Sequence, residues 1–379
     1  MKFRTRSIHV GNNRDSETGA VVPPIHVAST FVQPAAGEFG EFDYSRSGNP
    51  TRKNLETTMA SLAGGEGALA FSTGMAATHC VTMLCQAGDE IVAGTDIYGG
   101  TYRLLHKIAT RGGIKVSLVD TTKPEQLQSA INSNTRIVWI ETPGNPLLSI
   151  SDISICADIA HDSGAILAVD NTFATPALTR PLEHGADISM HSATKFLGGH
   201  SDALGGILIT RDPELHDELY FVQNATGATL ASFDSFLISR GIKTLDLRVR
   251  AQSHSAFEIA NRLAGDPRIE HVLYPGLAGH PGHELASRQM GGVFGSMVSF
   301  TVRGDFVTAK RVVDSTELFQ LAVSLGAVES LIEQPAAMSH ASYDAADRKA
   351  HGIGDGLVRL SVGLEDLEDL WQDLDAALG

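Results

Sequence analysis

The stretch ADISMHSATKFLGGHSDALGGILIT, residues 186–210, decides the fold class. It holds two short apolar runs, separated by a loop of small residues that carries a single lysine, Lys195. Five further runs of this kind, bounded by turn residues, lie between residues 67 and 170: GALAFS, DEIVAG, IKVSLVD, RIVWIE and GAILAVD. Strands that are apolar nearly throughout are typical of a sheet covered by helices on both faces. The sequence therefore predicts an α/β protein with a mainly parallel, seven-stranded sheet.

Three segments are distinguished by composition along the chain. Residues 1–55 are rich in proline and glycine, show little periodicity and are predicted to form an N-terminal arm. Residues 56–235 carry the seven apolar runs and form the predicted large domain. A long helical pattern at 232–262 leads into residues 236–379, where SMVSFTV and GLVRLSVGL look like strands and DLEDLWQDLDAAL like a helix. We expect this last segment to be a smaller C-terminal α+β domain.

Composition and charge exclude several classes of protein. Of 379 residues, 42% are hydrophobic and 19% are charged, which is an ordinary globular balance. The net charge of −15 and the lack of a basic run with interleaved aromatic residues argue against nucleic-acid binding. Three cysteines are too few and too scattered for a disulfide framework or a zinc cluster. Neither a signal peptide nor a membrane-spanning apolar run is evident, so we expect a cytoplasmic protein without a membrane partner.

Polar residues stand out where the predicted strands end. Asp170 ends GAILAVD, Glu141 ends RIVWIE, and Lys195 follows ADISM within a few residues. Taken singly, these residues also fit a strand cap, a loop residue or a solvated surface charge. Because ligands of open α/β sheets collect beyond the carboxyl ends of the strands, their joint placement predicts one ligand site.

The chemistry of these residue types indicates the ligand. Gly74 and Met75 open a helical stretch, where backbone N–H groups and the helix dipole suit a phosphate. An acidic group such as Asp170 can keep a heteroaromatic nitrogen protonated, and a tyrosine such as Tyr98 can stack on a flat ring. A lysine beside them, Lys195, can form a Schiff base with an aldehyde. Together these features describe a site for pyridoxal 5′-phosphate (PLP).

Eight motifs in order resemble those of the trans-sulfuration family of PLP enzymes of sulfur amino-acid metabolism. They are YSRSGNPT (44–51), FSTGMAA (71–77), DIYGGTYR (96–103), ETPGNP (141–146), VDNTFATP (169–176), HSATKFLGGHSD (191–202), SLGAVESLI (324–332) and LVRLSVGLED (357–366). The family includes cystathionine γ-lyases, γ-synthases and β-lyases and methionine γ-lyases, and the resemblance is greatest to the first two. It implies a large domain of the PLP-dependent aminotransferase-like type (fold type I).

The resemblance also implies roles for individual residues. Lys195 would hold PLP covalently and then act as the proton shuttle, and Asp170 would pair with the pyridine nitrogen. Tyr98 would stack on the ring and serve as an acid or base. The remaining implied contacts are Gly74, Met75, Ser192 and Thr194 with the phosphate, Asn145 with the ring hydroxyl near Glu141, and Arg359 with the substrate α-carboxylate near Ser324.

An assembly follows from the same resemblance. Tyr44 and Arg46 are similar to a pair that reaches the cofactor phosphate of a neighbouring subunit. The resemblance therefore implies an active site shared between subunits and a homotetramer built from two dimers. The alternative interpretation is an ordinary polar arm.

Three positions bear on the choice of substrate, a small sulfur-containing amino acid. Arg103 stands where cystathionine-handling members carry an arginine for the far carboxylate, and Gly100 lies in the segment where methionine γ-lyases have a reactive cysteine. Arg103 could instead be an exposed helix arginine. Val323 stands where many cystathionine enzymes carry glutamate, and its apolar side chain resembles methionine γ-lyases. We expect γ-elimination of cystathionine, with γ-replacement by cysteine on an activated homoserine ester as the first alternative, followed by methionine γ-lyase and cystathionine β-lyase.

Other enzyme classes lack their motifs in this sequence. The G-x-G-x-x-G of nicotinamide dehydrogenases does not follow the first predicted strand, and the phosphate-loop motif G-x-x-x-x-G-K-[ST] is absent. Histidines of GHPGHE lie in a predicted proline-glycine turn without the H-E-x-x-H spacing of a metallohydrolase, so we expect no metal. An inactive binding protein would be expected to lose Lys195 or Asp170.

Overall fold

Two β-sheets organise the described part of the chain. The computed structural model describes residues 1–341, 348 and 351–379. The larger sheet consists of β1 (Gly67–Phe71), β2 (Glu90–Gly94), β3 (Lys115–Val119), β4 (Thr135–Glu141), β5 (Ile166–Asp170), β6 (Ile188–Ser192) and β7 (Gly206–Thr210). The smaller sheet consists of β8 (Ile269–Leu273), β9 (Met297–Val302), β10 (Gln320–Leu321), β11 (Leu331–Glu333) and β12 (Leu357–Ser361).

Helices connect and cover these strands. Those before and within the larger sheet are α1 (Phe3–His9), α2 (Pro50–Ala63), α3 (Gly74–Thr82), α4 (Gly99–Lys107), α5 (Pro124–Ala130), α6 (Ile153–Asp162) and α7 (Thr175–Leu178). Those after it are α8 (Pro213–Thr226), α9 (Ser232–Ile242), α10 (Leu245–Ala264), α11 (His283–Gln289), α12 (Phe306–Ser315) and α13 (Leu367–Leu378). Short 3₁₀ helices occupy Ala109–Gly112 and Pro181–His184.

The larger sheet has the strand order β1-β7-β6-β5-β4-β2-β3. Strands β2 to β6 pair in parallel, whereas β7 runs antiparallel to both of its neighbours, β1 and β6. All seven strands lie on the apolar runs that the sequence identified. The prediction of a mainly parallel seven-stranded α/β sheet is therefore confirmed, and β7 is the one strand of the seven that runs antiparallel to both of its neighbours.

Alternate residues of the central strands contribute to different hydrophobic clusters. Trp139 of β4 packs in a cluster with residues of α3, whereas its neighbour Ile140 packs in another with residues of α6. Successive side chains of a strand point to opposite faces, so both faces of this sheet are covered by helices. This double covering explains why the strands lack the alternating pattern of a half-exposed sheet.

The smaller sheet has its own hydrophobic cluster. Phe300 of β9 and Leu360 of β12 pack with Ile259 of α10 and Leu370 of α13. The helical pattern at 232–262 is two helices, because α9 ends at Ile242 and α10 begins at Leu245. Among the described residues, none of the helices combines the length and the apolar character needed to cross a membrane.

Candidate active site

A cavity of about 510 Å³ lies at the carboxyl ends of the parallel strands and extends to the smaller sheet. Loops after β4, β5 and β6 reach it from one side, and the segment before β11 reaches it from the other. Eleven of the predicted site residues line it: Gly74, Met75, Tyr98, Glu141, Asn145, Asp170, Ser192, Thr194, Lys195, Ser324 and Arg359. The topology thus brings together residues that are up to 285 positions apart in the sequence, as Gly74 and Arg359 are.

Lys195 extends into this cavity from the loop after β6. Its Nζ donates a hydrogen bond to Ser324 Oγ at 2.7 Å. Burial and, to a smaller extent, the Arg359 guanidinium lower the pKa of Lys195, the Glu333 carboxylate opposes them, and the net pKa is about 8. A substantial fraction of this amine is therefore neutral near pH 8, as a nucleophile or general base requires.

The loop that carries Lys195 is held by close backbone packing. Gly199 N–H donates to the carbonyl of Lys195 at 2.8 Å, which closes a turn. Helix α9 approaches this turn so closely that a Cβ at Gly241 would lie 2.1 Å from the carbonyl oxygen of Gly198. Glycine is required at position 241 for this contact, which keeps the lysine loop against the helix.

Asp170 is buried at the end of β5 and is tied to the loop after β6. Its Oδ1 accepts hydrogen bonds from the N–H and the hydroxyl of Thr172, at 3.0 and 2.5 Å. The same Thr172 hydroxyl accepts from the N–H of Ser192 at 2.8 Å. Burial raises the pKa of Asp170 to about 6, although the bonds from Thr172 lower it. Thr172 thus links the acid to Ser192, and sequence reasoning missed it although a threonine two residues after a strand-end aspartate is a turn signal.

Glu141 lies at the end of the neighbouring strand β4. Its Oε2 accepts a hydrogen bond from the backbone N–H of Tyr98 at 2.8 Å, so the carboxylate fixes the loop before α4. Burial raises the pKa of Glu141 well above its usual value, and the nearby Asp170 raises it further. Tyr98 itself remains 40% exposed at the cavity. Glu141 therefore positions Tyr98 through its backbone N–H.

Arg359 presents a buried guanidinium on β12. Its Nη1 donates to Asn145 Oδ1 at 2.7 Å, and its Nη2 donates to the carbonyl of Ser324 at 3.1 Å. Ser324 therefore contacts Arg359 with its backbone and Lys195 with its side chain. It does so with a positive φ of 107°, a costly conformation for a residue other than glycine. Glu333 forms an ion pair with Nη2 at 3.0 Å and was not identified from the sequence.

The start of α3 forms a cradle beside Ser192. Thr73 caps the helix, its hydroxyl accepting from the N–H of Ala76 at 3.0 Å. A Cβ at Gly74 would lie 3.0 Å from Cβ and Oγ of Ser192, so the glycine keeps this space open. The first N–H groups of a helix lack intrahelical partners and favour anions.

These features fit PLP. The cradle at α3 suits its phosphate, and a protonated ring nitrogen would compensate the buried carboxylate of Asp170. Lys195 provides the amine that an aldehyde needs.

Three predicted site residues lie outside this cavity. Arg103 is exposed on α4. Tyr44 is 47% exposed, and the Arg46 guanidinium lies over its ring at 5.6 Å from the centroid. Arg46 also donates to the carbonyl and side chain of Asn224, at 2.6 and 2.9 Å. Their roles toward the substrate and toward a neighbouring subunit stay predictions.

Comparison with known proteins identifies the family of this chain. The family model for Cys/Met metabolism PLP-dependent enzymes matches residues 4–379. A cystathionine γ-lyase of Bacillus subtilis is 50% identical over 378 residues, covering 100% of this chain and 99% of the relative. A cystathionine γ-synthase of Mycobacterium tuberculosis is 49% identical over 377 residues, covering 99% and 96%. The crystal structure of cystathionine γ-synthase from Xanthomonas oryzae pv. oryzae in complex with cystathionine has a TM-score of 0.97 and 45% identity, covering 100% of this chain and 98% of that chain. This chain belongs to the family of PLP-dependent enzymes of cysteine and methionine metabolism.

Proposed function

We propose that this protein cleaves cystathionine by PLP-dependent γ-elimination. With one water consumed, the products are cysteine, 2-oxobutanoate and ammonia. The observation that carries the proposal is the cavity that holds Lys195, the buried carboxylate of Asp170 and the buried guanidinium of Arg359 together. Relatives named cystathionine γ-lyase, from Bacillus subtilis to Homo sapiens at 50% and 48% identity, support it.

Each of these three groups has a distinct task. When bound, PLP supplies an electron sink for the pair left at the substrate α carbon. Lys195 binds PLP and moves protons at the α and β carbons, a task suited to an amine whose pKa is about 8. Asp170 holds the ring nitrogen in its protonated form. Arg359 holds the α-carboxylate, for which a planar guanidinium is well shaped.

The surrounding residues bind and orient the two molecules. Tyr98 stacks on the ring and exchanges protons with the amine or the leaving thiol, while Glu141 holds the Tyr98 loop. Arg103 holds the far carboxylate of cystathionine. The phosphate contacts are Gly74, Met75, Ser192 and Thr194, the ring hydroxyl contact is Asn145, and Ser324 orients Lys195.

Assembly is part of the proposal. We propose a homotetramer in which Tyr44 and Arg46 of each subunit complete the phosphate site of a neighbour. Both side chains are exposed within one chain, which leaves them accessible to a second subunit. The proposed segments are the arm at 1–55, the PLP-binding domain at 56–235 and the small domain at 236–379.

A second candidate is γ-replacement, in which cysteine displaces the ester group of an activated homoserine. Relatives named cystathionine γ-synthase favour it, because their identity to this chain reaches 49%. The two reactions need the same residues up to the loss of the γ-substituent. They differ in whether a thiol then adds to the γ carbon.

Product analysis of the PLP-loaded enzyme with L-cystathionine alone tests the proposal. Cysteine with 2-oxobutanoate is the expected result, and homocysteine with pyruvate would instead make the protein a β-lyase. Without turnover of cystathionine, formation of cystathionine from O-succinylhomoserine and cysteine would establish the γ-synthase alternative. Turnover of methionine to methanethiol in preference to cystathionine would identify a methionine-type enzyme and direct attention to Val323.

A further inference from the structure

Glu333 is a buried acid that the reaction described above does not use. It ends β11 and pairs with Arg359 across the antiparallel ladder between β11 and β12. Its side chain is 1% exposed, and that of Arg359 is 3% exposed. Burying a carboxylate is costly unless a partner compensates for its lost hydration. A carboxylate in this position therefore acts on Arg359 directly.

The contacts of Glu333 are concentrated on one oxygen. Its Oε1 lies 3.0 Å from Arg359 Nη2 and also accepts a hydrogen bond from the hydroxyl of Ser339, which lines the cavity. Among the described residues its Oε2 has no hydrogen-bond partner. Replacement by glutamine would therefore keep the Oε1 contacts and remove the charge.

The charge of Glu333 affects the binding of an anion at Arg359. The substrate carboxylate arrives at a guanidinium that a fixed carboxylate already compensates, so two anions share one cation. Glu333 also raises the pKa of Lys195, against burial and the charge of Arg359. The other charged or titratable groups around this cavity, among the described residues, are Asp170 and Glu141 at the strand ends, Tyr98 before α4, and His340 with Arg348 near Arg359.

We propose that Glu333 is a positioning residue that holds the guanidinium of Arg359 and weakens the hold of that guanidinium on the substrate α-carboxylate. The inference rests on the assignment of Arg359 to that carboxylate made above. A carboxylate that is held too tightly slows product release, since 2-oxobutanoate keeps the same group. Glu333 thus sets both the direction and the strength of the contact.

The free amino acid glycine serves as the probe of carboxylate binding at Arg359, since it carries an α-carboxylate and has no γ-substituent to eliminate. Its dissociation constant is measured from the change in visible absorbance of the PLP-loaded enzyme. Glu333→Gln is expected to tighten glycine binding about threefold to tenfold, because one anion is removed. Glu333→Ala removes the contact as well as the charge, and glycine should bind at least threefold more weakly to it than to Glu333→Gln. Unchanged binding in Glu333→Gln would overturn the charge role, and equal binding in both variants would overturn the positioning role.

A second measurement separates these roles from a general loss of structure. Without glycine, the pH at which the visible absorbance of the bound cofactor changes should fall in Glu333→Gln, because an anion that stabilises the protonated form near Lys195 is gone. The matched control is Glu365→Gln, whose carboxylate binds Ser330 and does not line the cavity. This control should leave that pH and glycine binding unchanged, and an equal shift in the control would contradict the inference.

Arg359→Met distinguishes failure of this inference from failure of the proposed function. It should weaken glycine binding more than tenfold if Arg359 binds the carboxylate. Unchanged binding in Arg359→Met would refute the proposed role of Arg359. A large loss there, together with no effect of Glu333→Gln, would refute the inference about Glu333 alone.

Discussion

Replacing Asp170 by asparagine should stabilise the cofactor-free protein and weaken the binding of PLP. Burial raises the pKa of Asp170 from 3.8 to about 6. A rise of about two pKa units corresponds to ~3 kcal/mol of unfavourable free energy once the group is ionised in the folded state. Asparagine carries no charge and can still accept both hydrogen bonds from Thr172, so it escapes this cost.

The pH dependence of this gain has a defined sign. A carboxyl whose pKa is raised by folding destabilises the protein above its folded pKa and does so progressively less as the pH falls toward its unfolded pKa. The advantage of Asp170→Asn should therefore reach about 3 kcal/mol at pH 8 and fall to roughly half of that at pH 5. In the PLP-loaded protein the order should reverse, because asparagine cannot compensate a protonated ring nitrogen.

Urea unfolding of the cofactor-free proteins at pH 5 and pH 8 measures the effect. The control is Asp212→Asn, since Asp212 caps α8 and asparagine caps helices equally well. The unfolding free energy of Asp212→Asn should match that of the wild type at both pH values. If Asp170→Asn gained no unfolding free energy at pH 8, or gained equally at pH 5 and pH 8, the burial cost assigned to the Asp170 carboxylate would be refuted.

Three further substitutions test the site. Arg103→Ala should lower kcat/KM for cystathionine at least tenfold more than kcat/KM for a substrate that lacks the far carboxylate. Equal losses for the two substrates would show that Arg103 does not bind that carboxylate. Gly74→Val should raise the dissociation constant of PLP at least tenfold, because the Cβ of the new side chain would lie only 3.0 Å from Ser192. Unchanged binding in a PLP titration would show that the start of α3 does not bind the phosphate. Ser324→Ala should lower kcat ten- to a hundredfold with an unchanged circular dichroism spectrum, because the 2.7 Å hydrogen bond from Lys195 is lost. An unaltered kcat would show that this hydrogen bond does not orient the amine.

The sequence predicted the larger sheet because its strands have an unambiguous pattern. Apolar runs covered on both faces, such as RIVWIE, which ends at Glu141, can be recognised without knowledge of their neighbours. Their carboxyl ends then meet at one edge, which brought Asp170 and Lys195 to the same cavity. The antiparallel direction of β7 was not predicted, since direction depends on pairing and on the loop between β6 and β7.

The features of the site that the sequence did not predict depend on contacts between residues that are distant in the sequence. Glu333 meets Arg359 only because β11 and β12 pair in one register. The residue type of Arg103 is evident in the sequence, but the exposed direction of its side chain is set by how α4 packs. Thr172 carried a local signal, yet its contact with Ser192 needs β5 and β6 to be adjacent. Side-chain direction and strand pairing are thus what the structure adds.

The central role of Lys195 is tested most directly by locating the lysine that holds PLP. Borohydride reduction of the loaded enzyme fixes the cofactor to its lysine, and peptide mass spectrometry then identifies the residue. We expect the modified peptide to contain Lys195, and we expect Lys195→Ala to show no modified peptide and no visible absorbance of a cofactor bound through a lysine. A modified peptide that contains another lysine, such as Lys243, would contradict the assignment of Lys195 as the lysine that holds PLP.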